Sequence, residues 1–205
     1  MKNKLSKELI SLSKAFNKKY TQHNPAYFEE LNLDQFPSIL WLGSSDSRVD
    51  PYQILNTDPG TIFVHRNLGN LVNPMDNNVM AAVTFSVKNL KVKSVVICGH
   101  SQCQAISLAC SGIETAPYNI KNVLGPVRNI FERVMTEQGK LVSDWDLMDN
   151  DNKKIIEEIV CKQNIQDQMD NLFGLDFIKE RVDSNELELA PLYYRMEKGL
   201  LEDIG

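Results

Sequence analysis

Ser94-Val95-Val96-Ile97-Cys98-Gly99-His100-Ser101-Gln102-Cys103 is an apolar run that stops on a glycine and releases a histidine and a cysteine. Five successive apolar or small residues without polar alternation suit a strand buried on both faces, here spanning Ser94–Cys98. Working outward, Ser38-Ile39-Leu40-Trp41-Leu42 follows Pro37 and ends in Gly43-Ser44-Ser45-Asp46-Ser47-Arg48, and Thr61-Ile62-Phe63-Val64 follows the turn Asp58-Pro59-Gly60 and ends in Arg66-Asn67-Leu68-Gly69-Asn70. Each strand therefore runs into a polar, glycine-containing loop. Val79, Val83, Val87 and Leu90 lie on one helical face between the second strand and the third. Strand and helix in alternation predict an α/β fold, a mostly parallel β-sheet flanked by helices. Such sheets place their sites beyond the carboxyl ends of the strands, the edge that would carry Asp46, Arg48, Arg66, His100 and Cys103.

At the N-terminus, Leu5, Leu9, Leu12 and Phe16 form one stripe of an amphipathic helix, an N-terminal helical arm over residues 1–35. Its apolar stripe packs either on its own domain or on a second subunit. Beyond the third strand, 119–150 reads as polar and irregular, apart from a helix over Val127–Met135. From Asn152, the residues Ile155, Ile159, Val160, Met169 and Leu172 mark a long helix, and Phe177–Val182 a shorter one. Leu187–Tyr194 reads as a late strand, with Glu186 and Glu188 solvated and Leu187 and Leu189 inward.

The 205 residues suit a single domain, 1–205, with its arm, and 42% hydrophobic against 24% charged residues is the balance of a globular protein. A formal charge of -5 without clustered Lys and Arg disfavours nucleic acid as a partner. The first residues hold no unbroken apolar region of a secretory signal, and no apolar run suits a membrane span. Four cysteines in such a chain are expected to stay reduced, in a cytoplasmic setting.

His100 and Cys103 offer an imidazole and a thiolate from one strand end, a mixture that zinc accepts. By themselves they read more readily as a hydrogen-bonded histidine and a core cysteine. Asp46 and Arg48, two residues apart, can close into a bidentate pair, either a structural ion pair or, beside a metal, an orienting carboxylate held ionised.

Three stretches, Gly43-Ser44-Ser45-Asp46-Ser47-Arg48-Val49, Pro59 to Asn70, and Cys98-Gly99-His100-Ser101-Gln102-Cys103, resemble in order and spacing the signature loops of β-class carbonic anhydrases. Asn24-Pro25-Ala26-Tyr27-Phe28, Asn164-Ile165, Leu187-Glu188-Leu189 and Gly199-Leu200-Leu201 are similar to that family too. The resemblance implies a zinc held by His100, Cys103 and a cysteine two residues before Asp46. The fourth position would go to water or to Asp46, with Asp46 and Arg48 as the catalytic dyad. This chain carries Ser44 in place of that cysteine. It also carries Gly69 where the family usually has alanine, and Gln104-Ala105 where it usually has two glycines. Cys98, Cys110 and Cys161 read as core residues.

The implied activity is zinc-dependent, reversible hydration of carbon dioxide to bicarbonate, weakened by Ser44, in a homodimer or homotetramer. Two other readings stand beside it. One is a non-catalytic homologue that binds or regulates; the other is a hydrolase of carbon disulfide or carbonyl sulfide. A serine hydroxyl is a poor ligand, so Ser44 is expected to hydrogen-bond a water; the alternative is that Asp46 moves in as a ligand beside His100, Cys103 and water, which takes the carboxylate away from Arg48.

Overall fold

The computed structural model describes residues 4–205. The chain divides into two compact units, one ending at Phe36 and one formed by Pro37–Gly205. In the first, α1 (Lys4–Thr21) is followed by α2 (Tyr27–Leu31). Phe16 and Tyr20 of α1 meet Phe28 and Tyr27 of α2 at centroid distances of 6.1 and 4.8 Å. Leu5, Leu9, Leu12 and Phe16 all remain exposed.

In the second unit, β1 (Ile39–Ser44), α3 (Pro51–Ile54), β2 (Ile62–Asn67), α4 (Asn77–Thr84) and β3 (Ser94–His100) come first. They are followed by α5 (Gln104–Ser111), α6 (Tyr118–Glu137), α7 (Asn150–Phe173), α8 (Asp176–Asp183), β4 (Glu188–Arg195) and β5 (Leu200–Asp203). The five strands form one sheet in the order β2-β1-β3-β4-β5, parallel throughout except for the last, antiparallel pairing. The predicted α/β class is the one observed.

Leu40, Leu42, Val95 and Ile97 face the main core, where Val79, Val83 and Val87 meet Ile106, Phe131, Val160 and Ile165. Trp41, Ile62, Val96 and Cys98 point to the other face, with Tyr52 and Leu55 beside them. Two-sided burial explains the unbroken apolar runs of β1 and β3. Among the described residues no helix is long and apolar enough to cross a membrane.

Three local readings change. β1, β2 and β3 run further than their apolar cores, because backbone pairing continues through Leu42↔His65, Gly43↔Arg66 and Ser44↔Asn67, and through Gly99↔Tyr193 and His100↔Tyr194. The segment read as irregular contains α6, a helix of 20 residues that continues through Gly125 and Pro126. Proline lacks the N–H that helix interiors use, which obscures the pattern, yet Leu124, Val127, Ile130, Phe131, Val134 and Met135 form one buried stripe. After it, Trp145 is buried edge-on to Phe131, with ring centroids 5.1 Å apart. On α7 the buried positions begin at Ile156, and Ile155 is exposed.

Two features bring the strand ends together. Gly99 allows α7 to approach β3, since a Cβ there would lie 2.8 Å from both Cys161 Sγ and Ile165 Cδ1. The loop after β2 is fixed by the Asn67 side chain, which accepts from Leu71 N and donates to Leu71 O, both at 2.7 Å.

Candidate active site

Ser44 is the last residue of β1 and His100 the last of β3, so parallel pairing of these neighbouring strands brings both to one sheet edge. Cys103 stands immediately before α5, three residues beyond His100. The structure brings together every side chain singled out in the sequence: Ser44 Oγ lies 3.5 Å from Cys103 Sγ, and His100 Nε2 lies 3.7 Å from Asp46 Oδ2. A cavity of about 360 Å³ opens on this edge, with Asp46, Arg48, Leu68, Cys103, Gln104 and Ala105 in its wall.

Asp46 and Arg48 form the anticipated bidentate pair, Nε to Oδ1 at 2.9 Å and Nη2 to Oδ2 at 2.7 Å. The Arg48 main-chain N–H adds a third bond to Oδ1 at 3.0 Å. The Arg48 guanidinium holds the Asp46 carboxyl well below the usual carboxylate range, against the opposing effect of its partial burial. It also reaches across to the Gln102 carbonyl at 3.1 Å, joining the loop after β1 to the loop after β3.

His100 is buried, and its Nδ1 lies 3.0 Å from the Ser101 carbonyl. A carbonyl only accepts, so in the neutral ring Nδ1 carries the proton and Nε2 keeps a bare lone pair. That Nε2 is fully buried and has no hydrogen-bond partner among the described residues. Burial pushes the imidazole towards its neutral form, but the neighbouring Cys103 outweighs it and raises the histidine's pKa. Burial likewise opposes ionisation of Cys103, and His100 with the Ser44 hydroxyl outweighs it, lowering that thiol. The other three cysteines are buried, free thiols, and burial pushes Cys98 up to about 12.

An orphaned buried nitrogen beside an ionisation-prone thiol fits a metal ion. Two donors at roughly 2.0 and 2.3 Å from one tetrahedral zinc lie about 3.5 Å apart, and the Ser44–Cys103 and His100–Asp46 separations of 3.5 and 3.7 Å are on that scale. The third position is where the fit is weak. Among the described residues no group of three His, Cys, Asp or Glu side chains is arranged to hold a metal ion. Both Asp46 oxygens are engaged by Arg48, and Ser44 offers only a hydroxyl.

The sequence pattern of the carbonic anhydrase family matches residues 39–201. The chain belongs to this family, and its architecture is that of the β class. It is similar to a carbonic anhydrase of Emericella nidulans, 27% identical over 184 residues, covering 89% of this chain and 75% of that one. A Helicobacter pylori carbonic anhydrase is 29% identical over 178 residues, covering 84% and 78%. Among solved structures, one of two tetrameric β-carbonic anhydrases of Sordaria macrospora superposes with a TM-score of 0.86 at 28% identity, covering 99% of this chain and 98% of that one.

Two participants escaped the sequence reading. Leu68, exposed after β2, forms an apolar wall of the cavity. Gln102 contributes a main-chain carbonyl from a residue with φ of 54°, and no side-chain pattern announces a main-chain acceptor. Of the family departures, Gly69 adopts a φ of 77°, a conformation that glycine takes without the strain alanine would bear. Gln104 and Ala105 open α5 at the cavity wall.

Proposed function

We propose that this chain catalyses the reversible hydration of carbon dioxide to bicarbonate, using one zinc per chain held by His100 and Cys103, with Ser44 in the position of a lost thiolate. The observation that carries this reading is the buried Nε2 of His100, without a hydrogen-bond partner among the described residues, at the strand end that also carries Cys103. When bound, zinc would supply a water acidified to a pKa of about 7, an effect for which carbonic anhydrase is itself the type example.

The chain's own residues then have separable tasks. Asp46, kept ionised by Arg48, accepts a hydrogen bond from the attacking water and turns its reactive lone pair toward carbon dioxide. Leu68 and Ala105 offer apolar surface for a linear, uncharged substrate. Ser44 can donate to Cys103 or hold a water at the third position. If Asp46 is recruited as a ligand instead, Arg48 retains the Gln102 carbonyl as an anchor.

If roughly 10–16 kcal/mol of zinc affinity is shared among four ligands, losing one costs about 3 kcal/mol, or around two decades of affinity. That weakens the site without removing it. Elemental analysis alongside stopped-flow carbon dioxide hydration tests the reading: zinc near one per chain with measurable hydration supports it, and neither property in zinc-supplemented protein would overturn it. The scarcity of strong donors favours a second reading, a metal-free binding or regulatory homologue, which predicts the latter result.

The exposed stripe of α1 supports docking on a second copy in a homodimer or homotetramer, the Sordaria relative being described as tetrameric. Sedimentation showing only monomer at high concentration would refute this. Four free cysteines are in keeping with a reducing, cytoplasmic setting.

A further inference from the structure

Arg66 stands at the same edge as Asp46 and Arg48, and the chemistry above assigns it no task. It lies on β2 opposite Gly43 of β1 and is half-buried. Its donors go to main-chain acceptors: Nε reaches the Ser44 carbonyl at 2.9 Å, and Nη2 reaches the Asp46 carbonyl. One planar guanidinium thus bridges two carbonyls of the loop that carries both side chains.

We propose that Arg66 is a positioning residue, fixing the Ser44 hydroxyl and the Asp46 carboxylate against Cys103 and His100. The hydrogen bonds holding Asp46 otherwise come from within its own loop, from Arg48 and from the Val49 N–H at 3.1 Å. The last main-chain bond from this loop to the sheet runs from the Ser45 N–H to the Asn67 carbonyl at 2.8 Å, so beyond Ser45 Asp46 and Arg48 could swing together as one ion pair without breaking those bonds. Arg66 ties the Asp46 main chain to the sheet, while Arg48 meets the Gln102 carbonyl on the opposite side. The carboxylate is held from both neighbouring strands, with His100 Nε2 only 3.7 Å away. At such separations a displacement of about 1 Å can lower a rate by ~100-fold. The planar fork matters as well as the charge, because lysine offers a point charge on a flexible stem and cannot bridge both carbonyls with fixed geometry.

The rate arm of the test rests on the proposed hydration activity; a second arm does not. Arg66→Met and Arg66→Lys are compared with the wild-type full chain by stopped-flow kinetics and by hydrogen exchange of the Arg48 Nε–H in ¹⁵N NMR. In Arg66→Met, kcat is expected to fall by about 10–100-fold with KM little changed, and Arg48 Nε–H exchange to rise by about tenfold. Arg66→Lys should lie between. Unchanged exchange and kcat in Arg66→Met overturn the proposal, as do equal losses in both variants accompanied by a parallel fall in melting temperature, which would make Arg66 a support of the sheet alone. Should Arg66→Met fail to fold, Arg66→Lys decides: a severalfold rise in Arg48 exchange supports the proposal, and an unchanged rate overturns it. A wild-type protein without hydration activity would sink the enzymatic reading while the exchange comparison still decides the role of Arg66.

Discussion

The loops leaving β1 and β3 meet at one point but treat their polar groups in opposite ways. In the loop after β1, Asp46 takes three hydrogen bonds from Arg48, and Arg66 occupies the carbonyls of Ser44 and Asp46. In the loop after β3, the buried Nε2 of His100 has no hydrogen-bond partner among the described residues and lies 3.7 Å from the nearer Asp46 oxygen, while Cys103 meets the Ser44 hydroxyl at a long 3.5 Å. Leaving a buried nitrogen unsatisfied costs about 1–3 kcal/mol, so such a group is retained where a ligand repays it. The difference teaches a division of labour: the first loop is a self-satisfied frame, and the second holds the donors.

Removing a donor should have the largest effect. His100→Ala is expected to abolish zinc binding, since Cys103, joined at most by a recruited Asp46, is then the one strong nitrogen or sulfur donor left at this edge. Near-stoichiometric zinc in the purified variant would show that the loop after β3 is not the donor loop. Next comes the position where the two loops touch. Ser44→Cys should raise zinc affinity by roughly two decades, measured by competition with a chelator, and hydration activity should rise with it. A gain of zinc without activity would direct attention to Gly69 and Gln104; a gain of neither would show that Ser44 is not in a vacated ligand position.

This contrast also marks how far the sequence could be read. Asp46, His100 and Cys103 could be brought together from the sequence because parallel strands deliver their carboxyl ends to one edge, and Ser44 joined them through the family resemblance. Apart from Arg48 as the partner of Asp46, the groups that hold those residues could not be assigned. Arg66 acts on carbonyls, Arg48 on the Gln102 carbonyl, and Leu68 through its exposure, none of which leaves a spacing pattern. Periodicity also failed within α6, where Gly125 and Pro126 interrupt a stripe that the tertiary core nevertheless buries. At Ile155 the apolar residue was visible but its direction was not, because Ile155 and Ile156 lie about 100° apart on the helix and either could have led the buried stripe.

A smaller effect separates frame from donor within the site. Asp46→Asn keeps the shape of the carboxylate and removes its charge, so hydration should fall by about 10–100-fold while zinc content stays near the wild-type value. Parallel loss of zinc would instead assign Asp46 to the donor set and erase the contrast between the loops.

The smallest expected effect is on stability in acid. The Arg48 guanidinium depresses the Asp46 carboxyl below its ordinary value of 3.8 in the folded protein. A carboxylate whose folded pKa is lowered contributes stability that is fully present above the unfolded value and is lost as pH falls through the folded one. The difference in unfolding free energy between wild type and Asp46→Asn should therefore be flat from about pH 8 to pH 5 and shrink below about pH 4. Its size should be only about 1 kcal/mol, because the Arg48 side chain is 46% exposed and water screens the pair. Urea titrations of both proteins without added metal, at pH steps across this range, measure it. A gap that instead changes between pH 6 and 8 would show that Asp46 is coupled to the titration of His100 and Cys103, and the two loops would then have to be treated as one electrostatic unit.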